Sequence, residues 1–182
     1  MNLEKTSKAK ALRFIYGLVF IDLMSLGMIV PVVQPLIQKI TGQTPDNIII
    51  LNGALLAFYG LAGFLFAPLM GALSDRFGRR PFLLLAMAGL AIDHIFLVST
   101  SSVFWVFFAR GVAGICGESY GVAMAYVADI TDASERTKEY GRLGMMWALG
   151  FIFGPAVGGL LGDVDVRLPF YFAAALCVCN LI

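Results

Sequence analysis

Charge is scarce in this chain: Asp, Glu, Lys and Arg make up 14% of its 182 residues, while 59% are apolar. An average soluble domain carries roughly a quarter charged residues, so an ordinary water-facing surface is excluded and a bilayer is the fitting solvent. Histidine occurs once, and cysteine three times, at Cys116, Cys177 and Cys179, all inside apolar stretches. Lacking ligand spacing and His partners, the cysteines read as small buried residues, not as a zinc site or a disulfide framework. A net charge of +1 provides no concentrated basic patch, which argues against nucleic acid as a partner. No nucleophile–base pair, metal cluster or nucleotide loop is present, so neither an enzyme nor a bound cofactor is expected. The basic start (Lys5, Lys8, Lys10, Arg13) precedes an apolar run that is too long for a signal peptide, carries Asp22 and has no small-x-small cleavage site. That run reads as a retained first helix.

What the chain has instead is hydrophobic length. Six segments are cut at charged or turn-rich breaks: Leu12–Leu36, Ile48–Met70, Phe82–Val98, Val103–Ala128, Leu143–Leu161 and Leu168–Ile182. The second, at about 1.5 Å per residue, reaches about 34 Å, enough for a hydrocarbon core near 30 Å. The third is short, and the sixth stops below the usual span, as though its helix were incomplete. The expected architecture is an all-α membrane bundle of six spans over residues 12–182, preceded by a cytoplasmic N-terminal segment at 1–11. With the N-terminus inside, the cytoplasmic side holds ten basic residues: Lys5, Lys8, Lys10, Arg13, Arg76, Arg79, Arg80, Arg136, Lys138 and Arg142. The other side holds two, Lys39 and Arg167, a positive-inside bias that fixes the orientation.

Four ionisable residues fall within the spans: Asp22, Asp93, Arg110 and Glu118. A mid-bilayer charge costs roughly 2.5–3.5 kcal/mol on insertion scales, so each needs a partner or water. Asp93 and Arg110 lie at matching depths, roughly 8–10 Å from the outer ends of their spans, and could pair; the alternative role is a static pair that only orients helices. Asp22 has no basic partner in the pattern. A carboxylate buried without a counter-charge favours its protonated form, which makes Asp22 the better candidate for proton uptake or substrate contact, against a hydrogen-bonded residue that does not titrate. His94 adjoins Asp93 but leaves the helix about 100° away, so a neutral packed histidine is expected.

Glycines mark two further features. Arg110, Gly114, Gly117 and Gly121 share one helical strip, a groove with room for water, substrate or a neighbouring backbone. Gly150, Gly154, Gly158 and Gly162 form consecutive small-x-x-x-small steps, suited to tight packing, and Pro155 within them should kink the helix. Between the second and third spans the chain reads Gly71-Ala-Leu-Ser-Asp75-Arg76-Phe-Gly78-Arg79-Arg80-Pro81. Here Gly71 and Gly78 permit close approach and a tight reversal, and a carboxylate among arginines offers charge-assisted bonds that can break and re-form.

This last stretch resembles the loop 2–3 signature of the major facilitator superfamily. Three more signatures follow the expected order: Leu26–Pro35 resembles the first-helix motif of drug:proton antiporters, Arg110–Gly117 the fourth-helix motif, and Gly150–Gly159 the fifth-helix antiporter motif. The likeness is greatest to tetracycline-type efflux transporters, around Ser74–Leu85 and Val127–Gly144; Glu118 departs from that pattern. The resemblance implies the N-terminal half of a fold built from 3+3 inverted repeats. It implies a latch in which Asp75 caps a helix of the other half and Arg79 pairs with Asp129, alongside Gly71, Arg76, Gly78 and Arg80. It also implies a conformational role for Gly150, Gly154, Pro155, Gly158 and Gly159. The expected function is proton-coupled efflux of a drug or other small molecule, driven by the proton gradient, in a bacterial inner membrane. Expected partners are lipid, a small-molecule substrate, and a missing C-terminal half or a second copy. An importer or facilitator of a metabolite, or a half that does not transport alone, remain open alternatives.

Overall fold

A computed structural model describes residues 2–117 and 119–181, with side chains from residue 8 onward; Glu118 lies outside the described residues. Every regular element among them is helical: α1 (Asn2–Thr41), α2 (Pro45–Phe77), α3 (Arg79–Ser99), α4 (Val103–Cys116), α5 (Ser119–Ile130), α6 (Ala133–Val164) and α7 (Leu168–Leu181). Four helices are long and apolar enough to cross a membrane: α1 from Lys8, α2, α3 and α6. α7 is apolar but shorter.

Local chemistry sets the breaks. Pro45 starts α2, where a missing N–H costs nothing, and Asp46 follows in the first turn. One residue separates α2 from α3: Gly78, at φ 98° and ψ 146°, a conformation open essentially to glycine alone. Its N–H donates to the Ser74 carbonyl at 3.0 Å, so the reversal closes the end of α2.

α1 is helical from Asn2, so residues 2–11 run into the first span without a break. Where the sequence pattern reads one fourth span, α4 ends at Cys116 and α5 begins at Ser119. Gly117 closes α4, with φ −72° and ψ −2°, and a Cβ there would stand 2.8 Å from the Ala113 carbonyl oxygen.

The core comes in two apolar layers. One gathers Ile15, Leu18, Leu23, Leu83, Leu90, Ala113 and Val127; the other gathers Ile29, Val33, Leu36, Leu97, Val106 and Phe170. Along α1, α3 and α4 the buried Ser25, His94 and Arg110 fall between them, so a polar layer is sealed above and below by hydrocarbon.

α1 and α3 are the inner helices, with 56% and 61% of their apolar windows buried, against 22% for both α2 and α6. Phe64 and Leu65 on α2 and Ile152 and Leu160 on α6 face outward, as membrane helices require. α1 and α6 run side by side and parallel. Lys8 meets Glu135 at one end (3.0 Å), Gly27 meets Gly154 midway, and Lys39 meets Asp165 at the other end (3.9 Å).

Candidate translocation site

In the polar layer, Arg110 of α4 reaches Asp93 of α3. Its Nε donates to Asp93 Oδ1 at 3.1 Å, and Nη2 forms an ion-pair contact with Oδ2, with both side chains buried. The charge-assisted bond and the opposite charge compensate a carboxylate that hydrocarbon would otherwise leave bare. The guanidinium also lies 5.8 Å from the centre of the Tyr59 ring, within cation–π range.

Asp22 of α1 is buried and differs in kind. The Ser119 hydroxyl of α5 donates to its carboxylate, and among the described residues it forms no ion pair. Ser25, one turn on, donates to the Asp22 carbonyl at 2.8 Å, and Cys177 of α7 brings its Sγ to 3.8 Å from the Ser25 hydroxyl. The two acids therefore have separate partners: Asp93 a cation, Asp22 a hydroxyl.

His94 is fully buried and lies 3.6 Å from Asp93 through Nδ1. The expected divergence of the two side chains does not separate them. α3 packs against α7, α4, α5 and α2 and turns Leu85, Ile92 and Ile95 outward, and both Asp93 and His94 fall within its packed arc.

The glycine groove is filled. A Cβ on Gly114 would stand 2.5 Å from the Tyr59 carbonyl oxygen, and one on Gly111 2.8 Å from the Phe58 ring, so α2 occupies the space. Gly121 is exposed.

The loop signature gathers at the opposite end of the bundle from Lys39. Arg79 donates from Nε to Asp129 Oδ2 at 3.1 Å and from Nη1 to the Ser74 hydroxyl at 2.7 Å, and it also pairs with Asp75 one turn earlier. The Ser74 hydroxyl in turn donates to the Gly71 carbonyl at 2.7 Å. Arg80 lies over the Phe14 ring of α1 at 5.7 Å, and Arg76 over Phe77 at 5.5 Å. Asp75, Arg80, Pro81 and Tyr126 line an open cleft of about 500 Å³. Close approach at Gly71 is not found: a Cβ there would meet nothing within 4 Å.

In the α6 motif, Gly150, Gly154 and Gly158 press on the α1 backbone at Phe20, Met24 and Met28, and Gly162 presses on Val32. Gly159 points elsewhere, into open space. Pro155 leaves α6 a single helix, and its ring carbon Cδ lies 3.0 Å from where a Gly27 Cβ would be.

Sequence reasoning missed several members. Ser25 and Ser119 carry no signal of their own, since hydroxyls are common in apolar runs. Glu139 stands among charged residues in the sequence and is buried. It accepts from the Tyr16 hydroxyl and from Arg142 at 2.9 and 3.0 Å.

A helical bundle with four membrane-length helices and an ion pair sealed in its middle belongs to the polytopic membrane proteins, where such charges mark a pathway for solute or protons. The family model for the Major Facilitator Superfamily matches residues 15–182, and the chain belongs to that superfamily. It is 43% identical over 173 residues to the class C tetracycline resistance protein of Escherichia coli, covering 94% of this chain and 43% of that protein. It is 40% identical over 156 residues to the class B protein of the same organism, covering 86% and 38%. To multidrug resistance protein 2 of Bacillus subtilis it is 30% identical over 161 residues, covering 88% and 39%. The chain thus spans about two-fifths of the length of these curated relatives.

Proposed function

We propose that this chain is the N-terminal half of a proton-coupled exporter of tetracycline-like or other amphipathic drugs. It would work with a C-terminal half across a bacterial inner membrane, its N-terminus in the cytoplasm. The observation that carries the reading is the pair of buried acids with different partners. Asp22 rests on a hydroxyl and can exchange a proton without stranding a cation, whereas Asp93 holds Arg110.

Energy comes from the proton gradient and needs no bound cofactor. Protonation of Asp22 or Asp93 changes the charge of the polar layer, with Arg110 as the opposing charge and Glu118 as a further acid of the pathway. α4 and α5 together make the fourth of six spans, arranged as two inverted triplets. Substrate sits near the midplane between the halves.

Asp75, Arg79 and Asp129, with Gly71, Arg76, Gly78 and Arg80, form the cytoplasmic latch that opens and closes as the halves rock. Their bonds are exposed and re-formable. Gly150, Gly154, Pro155, Gly158 and Gly159 fix the path of α6 at the opposing gate. Support comes from the tetracycline and multidrug resistance relatives and from the ten-to-two basic bias.

The test is drug uptake into everted vesicles holding this chain with its C-terminal half, following protons released per drug taken up. Asp22→Asn and Asp93→Asn should each abolish gradient-driven uptake while leaving insertion intact. Undiminished uptake by both variants overturns the mechanism.

A further inference from the structure

At the end of the bundle opposite Lys39, cations outnumber the acids that could hold them. Asp75 and Asp129 pair with Arg79, Asp132 and Glu135 with Lys8, and Glu139 with Arg142. Arg136 donates to the Thr131 and Ala128 carbonyls. Every described acid at that end is thereby engaged. Lys10, Arg13 and Arg80 are exposed and have neither an ion pair nor a hydrogen bond among the described residues. They are free to meet an anion from outside the chain.

These three cations gather around one ring. Lys10, Arg13 and Phe14 stand at i, i+3 and i+4 on one face of α1, and Arg80 crosses from α3 with its guanidinium 5.7 Å from the centre of the Phe14 ring. A ring against the flat face of a guanidinium leaves the N–H donors on its edge free, and that edge matches phosphate oxygens. One turn deeper, Gly17 continues the strip, and a Cβ there would meet nothing within 4 Å, so the helix surface is notched below the cations. The strip is not the side that packs on α6: Tyr16 and Phe20 turn that way, to Glu139 and Phe153. From Lys10 to Gly17 the rise is about 10 Å. Along it the order is charge, ring and open notch, which is the order of phosphate, glycerol and acyl chain in a phospholipid. An acidic protein segment would match the charge but not the notch.

We propose that Lys10, Arg13 and Arg80 form a seat for the headgroup of an anionic phospholipid, with Phe14 under the headgroup and one acyl chain lying over Gly17. The seat goes beyond the export reading and does not rest on it: it belongs to whichever leaflet meets this end of α1 and α3. A bound lipid would supply the negative charge that the chain itself lacks there, and would tie α1 to α3 at a point where they meet through Arg80 and Phe14.

The full chain, in micelles of a neutral detergent, is titrated with phosphatidylglycerol or with phosphatidylcholine, and bound lipid is counted by native mass spectrometry. Phosphatidylglycerol should be retained in preference. Arg13→Gln and Arg80→Gln should each lower its affinity about fivefold, the effect of one basic residue at an anionic lipid surface. Gly17→Leu should weaken it several-fold with every charge in place, because the side chain fills the notch. Lys39→Gln, at the opposite end and paired with Asp165, should leave the affinity unchanged. Equal retention of the two lipids by the wild-type chain overturns the proposal, and that comparison needs no variant to fold. A preference that survives Arg13→Gln and Arg80→Gln together also overturns it. Inorganic phosphate is the third probe: if it displaces the lipid while Gly17→Leu binds lipid normally, the seat takes a free anion and the lipid reading falls. None of these outcomes depends on drug uptake, so the seat and the exporter reading fail separately.

Discussion

Gly154→Ala puts a backbone-to-backbone contact between α1 and α6 to the test. The added methyl would stand 2.6 Å from the Met24 carbonyl oxygen, 2.8 Å from Gly27 Cα and 3.0 Å from its carbonyl carbon. All three are backbone atoms of α1, so no rotamer can relieve the clash and the two helices must separate. Overpacking of this kind costs about 1–3 kcal/mol. Gly159→Ala, in the same motif, is the control, because its methyl meets nothing within 4 Å. Both changes gain the same helix propensity, about 1 kcal/mol for replacing glycine by alanine, so that gain cancels in the comparison. Gly154→Ala should therefore unfold more easily than Gly159→Ala by about 1–3 kcal/mol, a factor of roughly 5–150 in the unfolding constant. The assay is unfolding in mixed micelles of rising dodecyl sulfate fraction, followed by far-ultraviolet circular dichroism and by the fluorescence of Trp147, one turn from Gly150. Coincident transitions for the two variants would refute the claim that α1 and α6 meet backbone to backbone.

Three further outcomes are expected. Arg110→Ala strands the Asp93 charge and should cost about 3–5 kcal/mol in the same assay, while the double change Asp93→Asn with Arg110→Gln should recover most of that loss. Tyr16→Phe removes the hydroxyl that meets Glu139, so a double-mutant cycle with Glu139→Gln should give a coupling of about 0.5–3 kcal/mol; a coupling near zero would discount the contact. Asp129→Asn loosens Arg79 where Asp129 is largely exposed, so stability should change by no more than about 1 kcal/mol, whereas uptake by the two-half transporter should fall. A large stability loss with normal uptake would make the pair structural, not a latch.

Much of this bundle is legible in one dimension, and the exceptions have physical causes. Hydrophobic length marks α2, α3 and α6 because a helix in lipid is defined by its own apolar run. Depth counted along the spans brings Asp93 and Arg110 to the same level, and they meet there. The glycine repeat in α6 announces a tight contact but does not say with which helix, since any small-residue face accepts any backbone; α1 is the partner only in three dimensions. Likewise the strip at Gly111 and Gly114 reads equally as cavity or contact, and α2 fills it. Asp22 was recognisable as an acid without a cation, but its Ser119 partner was not, because the two lie 97 residues apart and serine is unremarkable in apolar sequence. His94 is packed and buried, as its place in an apolar run suggested, and its approach to Asp93 is visible only in three dimensions.

The contrast between the two kinds of contact bears on how a proton could move the bundle. α1 is held to α6 by ion pairs at both ends and by backbone against glycine between them. Close-packed backbones have few alternative arrangements, so this pair resists sliding. The polar layer is joined differently: Asp22 meets α5 through a single hydroxyl, and Asp93 meets α4 through a charge. These bonds can break on a change of protonation and re-form elsewhere. A charge change at Asp22 is therefore taken up more cheaply across α5 than along α6. α5 is also the helix that begins beside Gly117, where α4 ends, and that closes on Asp129 through the Arg79 loop. On the proposed mechanism, coupling between the buried acids and the loop signature would run through α5, with the α1–α6 pair as the frame against which it moves.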